Sequence, residues 1–569
     1  MECSDAIKQH GAIASIELIH PGHWANPKYT KGPRILSASA GTQRRYGQVY
    51  ESEEMTEADI ERVVDAFGKA AYMGKVGGFE MCMIHGAHGW LISQFLSPSE
   101  NHRTDRFGGS LENRARLPLM IIDRIRQYCG PNFPIEFRFS GKVASDGEDE
   151  IQESIEFAQM LDGKVDLIHV SVSSFAKKDT VPRMFPTMFL PHGVNADIAE
   201  AIKKHVKTPV VTVGRIGYPD LMEEIIASGQ ADMVAMVRGL MADPELPRKA
   251  MEGRDDEIIP CLRCNVCLSE TFVSLLPYAS RAMKCAVNPT CGREFQARLW
   301  DTPRRQYKVL IAGGGPGGMQ AAITAAERGH EVILCEQSDH LGGTLNTAKH
   351  ISFKGDMINY MQAMINRVNN REITVRLNTK VTPELVQEIK PDCLIAAIGA
   401  KPAPCSIPGS SLPHVLRAED VSAHKKEVGN CVAVIGGGLT GAEEALDLAI
   451  KGHTVTLLEM TDEIARDANF RGREALFQEI DKYQANLKIL TGVRALEIKQ
   501  DRVLIEGAEG KQDIIAETVI LATGRTPLNE EAEALRAYVK EFIAIGDCRL
   551  PGQIINATRG GYNAAMNIY

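Results

Sequence analysis

The sequence predicts an α/β chain: a (β/α)8 barrel whose first two βα units are missing, followed by two doubly wound nucleotide-type domains. Three observations predict it. Six short apolar runs alternate with helix-like stretches over the first 255 residues or so. A glycine turn between a strand and a helix occurs twice, about 123 residues apart. Between these patterns lies an irregular stretch with clustered cysteines.

The six runs are 13–19, 79–84, 135–139, 167–172, 210–213 and 233–237. Each is apolar nearly throughout, as a strand buried on both faces should be. Helix-like segments at 57–71, 114–128 and 153–161 lie between them, so the units repeat as in a parallel sheet. Polar residues stand at the strand ends: Glu17, His85, Arg138, Ser171, Arg215 and Arg238. A barrel of this kind places its chemistry there. Eight units close a barrel and six are visible, and the chain opens inside a helix-like stretch at 4–10. An N-terminal truncation or a misassigned start is therefore expected. The division is 1–255 barrel segment, 256–300 cysteine region, 301–425 with 526–569 first nucleotide domain, and 426–525 second nucleotide domain.

Length and composition exclude some classes. The 569 residues suffice for three or four domains, with 44% hydrophobic and 24% charged residues. A net charge of −9 argues against a nucleic-acid partner. No run is apolar enough for a membrane span, and the first residues lack a signal peptide's basic and apolar regions. A cytoplasmic location follows as an expectation. The 13 cysteines of so long a chain do not read as a disulfide framework. The oligomeric state is open, a homo-oligomer included.

The first glycine motif, Gly313-Gly314-Gly315-Pro316-Gly317-Gly318, follows the strand 309–312 and opens a helix. Glu336 ends the next strand, 18 residues after Gly318. Such glycines give a tight turn and let a pyrophosphate approach the helix N-terminus, while the acid accepts from a ribose hydroxyl. The second motif, Gly436-Gly437-Gly438-Leu439-Thr440-Gly441, precedes a helix at 442–450, and Glu459 again follows by 18 residues. A carboxylate there repels a 2′-phosphate, so NADH is expected over NADPH.

Cys261, Cys264 and Cys267 are separated by two residues each, and Cys285 follows after 17 residues. Such spacing suits one metal site in a reducing compartment, zinc or an iron–sulfur centre. Beside two dinucleotide units a redox-active 4Fe-4S cluster is the expectation, with Cys291 a spare candidate for the last ligand.

Two further resemblances narrow the reading. Residues 519–524, 542–547 and the glycine turns resemble the pyridine nucleotide-disulfide oxidoreductases. That likeness implies FAD and NAD domains of Rossmann type, the NAD domain inserted in the FAD domain, and a ribitol contact from Asp547. Residues 84–98 (Ile84-His85-Gly86-Ala87-His88-Gly89-Trp90 onward) and 101–114 resemble the old yellow enzyme family of FMN TIM barrels. With the cysteines, the whole chain resembles the iron–sulfur branch that holds 2,4-dienoyl-CoA reductase, trimethylamine dehydrogenase and bile-acid and enoate reductases.

The resemblance implies roles. His85 and His88 would hold a substrate carbonyl oxygen, Arg138 the flavin, and Gly214, Arg215 and Arg238 its phosphate. Trp90 stands where the family has a proton-donating Tyr, and an indole does not give up its proton near pH 7. Glu17 stands where a Gln contacting the flavin pyrimidine is usual, and the stretch before Cys285 exceeds the usual dozen residues. The flavin-binding N-terminal strands are absent, which bears on FMN binding. The implied activity is an electron relay from NADH to FAD, 4Fe-4S, FMN and finally an activated C=C bond of a small-molecule α,β-unsaturated carbonyl, thioester or enoate. One alternative is an amine dehydrogenase of the trimethylamine type. No tryptophan between Trp90 and Trp300 is available for an aromatic cage from the later strands, which counts against it. The other alternative is a catalytically idle electron-transfer or scaffold protein.

Overall fold

The computed structural model describes residues 2–27, 34–45, 48–143, 149–269, 283–299, 303–422 and 426–569. They fall in two compact units, Met1–Pro186 with Leu190–Met236, and Thr187–Phe189 with Val237–Tyr569.

In the first unit, strands Ser15–Leu18, Met81–Gly86, Ile135–Ser140, Leu167–Ser171, Val210–Val213 and Met233–Ala235 form one sheet in chain order, every neighbouring pair parallel. That succession is an arc of the (β/α)8 pattern. The strands differ from the expected uniformly apolar runs. Ile135, Phe137 and Phe139 are buried apolar residues, while Glu136, Arg138 and Ser140 alternate with them. Ile168 and Val170 likewise alternate with His169 and Ser171. A strand's side chains alternate between faces. The apolar set packs in one core with Ile60, Val64 and Phe67 of helix Glu57–Val76 and Leu117, Ile121 and Ile125 of helix Arg116–Cys129. Each fully buried side chain of this size contributes about 1.5–3 kcal/mol. The polar set is left to the other face, and registers align His85 with Arg138 and Arg138 with His169. Helix Glu57–Val76 starts on a capping box: Thr56 Oγ1 accepts from the Asp59 amide at 3.1 Å, and Asp59 accepts from the Thr56 amide at 3.0 Å. Strands Leu36–Ser37, Gly41–Arg45 and Gln48–Glu54 form a small sheet that sequence reading did not foresee, because GTQRR and QVYESEE carry almost no apolar alternation.

In the second unit, strands Ile373–Arg376, Glu331–Cys335, Lys308–Ala312, Cys393–Ala396 and Glu541–Ala544 form a parallel sheet in that order. A second parallel sheet runs Val415–Arg417, Thr518–Leu521, Cys431–Ile435, Thr454–Leu458 and Leu487–Leu490. The chain thus leaves the first sheet after Ala396, builds the second, and returns with Glu541–Ala544 beside Cys393–Ala396. An antiparallel pair, Ala400–Pro402 with Arg525–Pro527, joins the outgoing and returning strands. Helices Pro316–Glu327 and Ile554–Met566 pack so closely that a Cβ on Gly561 would lie 2.2 Å from the Gly317 carbonyl oxygen. Of the stretch 256–300, expected to be irregular, residues 270–282 and 300 lie outside those described; short helices Val266–Ser269 and Glu294–Arg298 lie before and after 270–282. No helix of the described residues is long and apolar enough to cross a membrane.

Candidate functional site

In the barrel unit, strand Met81–Gly86 delivers His85 at its end, and the chain then turns sharply. His88 takes φ 63 and Gly89 φ 85. A non-glycine residue in the left-handed region costs of order 1–3 kcal/mol and persists only when its surroundings hold it there. Here the His88 amide donates to Ser140 Oγ at 3.1 Å, its carbonyl accepts from the Phe175 amide at 3.1 Å, and buried Gln94 Nε2 donates to the Gly89 carbonyl at 2.7 Å. The turn thereby presents His88 beside His85.

The two imidazoles, each 6% exposed, meet at 4.9 Å between centroids and 89° between planes. His85 Nε2 and His88 Nδ1 face each other at 3.3 Å. The Ala87 amide donates to His85 Nδ1 at 3.3 Å, so neutral His85 carries its hydrogen on Nε2. Burial, then the charge of Arg138, pushes His85 down to about 3 and His88 well below the usual imidazole range. Both rings are neutral donors near pH 7. Arg138 Nη2 donates to Ser171 Oγ at 3.3 Å, while its buried Nε has no partner among the described residues. Desolvation lowers its pKa, opposed by Glu17 and Glu136. A buried guanidinium with an unmet N–H fits an electron-rich ring such as a reduced flavin. Glu17 is exposed, with its Oε1 3.6 Å from His85 Nε2.

Trp90 caps helix Leu91–Leu96, and its indole lies 5.5 Å from the Phe175 ring and 6.5 Å from His85. Phe175 also meets Trp24 at 6.0 Å. Trp24 and Phe175 escaped sequence reading because they stand 66 and 85 residues from Trp90 in the chain and carry no motif. Gly214 takes φ 146, where a Cβ would fall 2.4 Å from Asn195 Nδ2, and Arg215 takes φ 50 in the same unit. Arg238, read from the sequence as their companion, belongs to the other unit. There its Nη1 donates to Asn265 Oδ1 at 2.6 Å, within the electrostatic reach of Cys261, Cys264 and Cys267.

The cysteine loop has two non-glycine residues at positive φ, Arg263 at 58 and Asn265 at 55. Alternating left-handed residues turn successive amides inward, the backbone habit of anion-binding nests. Burial pushes the Cys264 thiol up to about 12 and Cys267 up to about 11, with Cys261 adding to both. Burial raises Cys285 as well, and Cys261 and Cys264 contribute to its shift. Cys261, Cys264 and Cys285 pack against one core, with the backbone of Cys264 accepting from Asn469 Nδ2. The four thiols expected at one centre therefore share one neighbourhood. Among the described residues no group of three or more His, Cys, Asp or Glu is placed to hold a single metal ion.

In both glycine turns the first and last glycines leave no room for a side chain. Gly313 takes φ 104, with Ala397 O 2.4 Å from its would-be Cβ, and a Cβ on Gly318 would fall 1.9 Å from Gly313 O. Gly315 is open, with only Gly343 Cα at 4.0 Å. Glu336 accepts from the Gly314 amide at 2.7 Å and from Ser338 N and Oγ at 2.9 and 2.8 Å. The second turn repeats this. Gly436 takes φ 108, and a Cβ on Gly441 would fall 1.9 Å from Gly436 O. Glu459 accepts from the Gly437 amide at 2.6 Å and the Thr461 amide at 2.8 Å. Burial raises its pKa, but these backbone bonds outweigh it, and the carboxyl is held below its usual range. Such cradles fit a dinucleotide backbone. Gly438 precedes helix Leu439–Ile450, where Asp467 Oδ1 accepts from the Leu439 amide at 2.8 Å. That carboxylate occupies the anion position of the helix end, and no spacing signal pointed to it. Asp547, after strand Glu541–Ala544, accepts from the Gly552 amide at 3.1 Å.

Comparisons with known proteins agree with this geometry. Residues 2–257 match the NADH:flavin oxidoreductase / NADH oxidase family and residues 307–561 the pyridine nucleotide-disulphide oxidoreductases. An NADH oxidase of Thermoanaerobacter brockii is 37% identical over 100% of this chain and 86% of its own length. A cinnamate reductase of Clostridium sporogenes is 33% identical over 90% of this chain and 78% of its own. The structure of a 2-naphthoyl-CoA reductase in complex with 2-naphthoyl-CoA superposes with a TM-score of 0.92 at 30% identity, covering 99% of this chain and 86% of that one. These matches support FMN, FAD and a nicotinamide nucleotide as the cofactors. The chain is an oxidoreductase that belongs to the NADH:flavin oxidoreductase / old yellow enzyme family, in the branch that joins the flavin barrel to a pyridine nucleotide-disulphide oxidoreductase module.

Proposed function

We propose that this enzyme uses NADH to reduce a C=C bond conjugated to a carbonyl group. The observation that carries the reading is the convergence of His85 Nε2 and His88 Nδ1 at 3.3 Å on the end of strand Met81–Gly86. Hydride addition to such a bond builds negative charge on the carbonyl oxygen, and fixed donors in a buried site stabilise that charge. When bound, the two flavins and a 4Fe-4S cluster would supply hydride and single-electron transfer between NADH and the substrate. Arg138 and Glu17, with Gly214 and Arg215, would hold FMN in the barrel unit. Gly313, Gly315, Gly318, Glu336 and Asp547 would hold FAD, in a domain of residues 301–425 and 526–569. Gly436, Gly438, Gly441 and Glu459 would hold the nicotinamide nucleotide, in a domain of residues 426–525. Cys261, Cys264, Cys267 and Cys285 would hold the cluster, with Arg238 as a cation beside it. The test is anaerobic NADH oxidation on purified, FMN-loaded protein with an aryl enoate, a small enone and an alkylamine. Reaction with the amine alone sinks the proposal. The aromatic cluster of Trp24, Trp90 and Phe175 favours that second reading, because cation–π contacts suit an alkylammonium.

Glu459 should select NADH. Its ionised carboxylate, bonded to the Gly437 and Thr461 amides, accepts from ribose hydroxyls and repels a 2′-phosphate. Glu459→Ala is expected to narrow the NADH/NADPH ratio of kcat/KM by roughly tenfold, equivalent to ~1.4 kcal/mol, with an artificial electron acceptor. A wild type that prefers NADPH would contradict this.

Trp90→Tyr should separate proton donation from pocket shape. A phenol donates a proton where an indole does not. The substitution also trims a ring that packs on Phe175. The expected result is faster turnover of a small enone and slower turnover of a bulky aryl substrate, compared as kcat/KM. Equal loss on both substrates would show that Trp90 only holds the loop.

A further inference from the structure

Ser171 ends strand Leu167–Ser171, and its hydroxyl lies between two partners. Its Oγ is 2.8 Å from His88 Nε2 and 3.3 Å from Arg138 Nη2. A guanidinium only donates, so Ser171 Oγ accepts from Arg138. Ser171 is 3% exposed, so its own hydroxyl hydrogen needs an acceptor inside the protein. Among the described residues that acceptor is His88 Nε2. Were the hydrogen on Nε2 instead, the serine oxygen would receive two donors and its hydrogen would be buried unmet, at about 1–3 kcal/mol. Ser171 therefore donates to Nε2, and neutral His88 carries its hydrogen on Nδ1. The Ala87 amide sets His85 the other way, with its hydrogen on Nε2. The two hydrogen-bearing atoms are the ones that face each other at 3.3 Å. Two donors do not bond to each other; they converge on a shared acceptor.

We propose that Ser171, itself polarised by Arg138, is a positioning residue that fixes His88 as the Nδ1–H tautomer, so that the histidine pair offers two donors to one substrate oxygen. The role rests on the ene-reductase reading for its purpose, but not for its detection. The same wire links the oxygen site to the cation next to the flavin position, so losing the serine hydroxyl disturbs the donor set without removing either histidine.

The experiment uses the full chain labelled with 15N-histidine, and ring nitrogens are read by long-range 1H–15N correlation at neutral pH without substrate. The His88 signals are identified by their loss in His88→Asn. Wild type should show His88 protonated at Nδ1, Ser171→Ala should move the hydrogen to Nε2, and Ser171→Thr, which keeps the hydroxyl, should restore Nδ1. In parallel, kcat for an enone should fall about 10²-fold in Ser171→Ala, the scale of one lost oxyanion donor, and recover in Ser171→Thr. NADH reduction of an artificial acceptor should not change in either. A wild-type His88 protonated at Nε2, or a tautomer indifferent to Ser171→Ala, overturns the assignment. If the tautomer shifts as expected while no enone is turned over, the ene-reductase reading fails and the role of Ser171 stands.

Discussion

Alanine in place of His85 or His88 is expected to lower kcat for an enone by about 10²–10³, the effect of removing one oxyanion donor from a buried site. The size follows from the environment. Both rings are 6% exposed, so water does not readily replace a missing N–H, and a developing oxyanion is left short of a partner. KM should change less than kcat, because the lost bond strengthens only as charge builds on the oxygen. Reduction of FAD by NADH, a reaction of the nucleotide-binding unit, should be unaffected. The pH profile gives an independent check. His85 is pushed down to about 3 and His88 lower still, so neither protonates as pH falls from 8 to 5, and an acid limb near 6.5 should not arise from this pair. Unchanged enone turnover in both variants of FMN-loaded enzyme would falsify the assignment.

The parts of this site that were legible in the sequence share one property: local spacing encodes them. A glycine turn, an acid 18 residues later and cysteines with two residues between them follow from backbone geometry within one βαβ unit or one loop. His85 and His88 were readable because strand end and turn are contiguous. Ser171 was visible only as a polar strand end, since its partners Arg138 and His88 lie 33 and 83 residues away and meet it only through parallel registry. Trp24 and Phe175 gave no signal at all, because an aromatic residue in a loop looks the same whether it packs or binds. Arg238 was read beside Arg215 from its place after the last barrel strand, and its bond to Asn265 Oδ1 in the cysteine loop, 27 residues on, had no spacing signal. The strands read as apolar on both faces because their few polar residues, Glu136, Arg138 and His169 among them, are interspersed one at a time in short apolar runs.

The second large effect is expected at the cysteines. Anaerobically purified wild type should hold about four irons per chain, as a 4Fe-4S centre with four thiolate ligands requires, and show broad visible absorbance that dithionite bleaches. Cys264→Ser should lose that absorbance and most of the iron. Thiols pushed as high as about 11 and 12 by burial do not ionise at neutral pH by themselves, so an apo form would bury neutral sulfur. Bound iron would displace those protons and so couple the loop's order to the metal. Cys264→Ser should keep NADH-driven reduction of an artificial acceptor and lose NADH-driven enone reduction to background. Enone reduction driven directly by dithionite should survive, because His85, His88 and Arg138 are untouched. Loss of the dithionite-driven reaction too would mean that the substitution damages the barrel unit. Stoichiometric zinc without iron in the wild type would remove the cluster from the reading altogether.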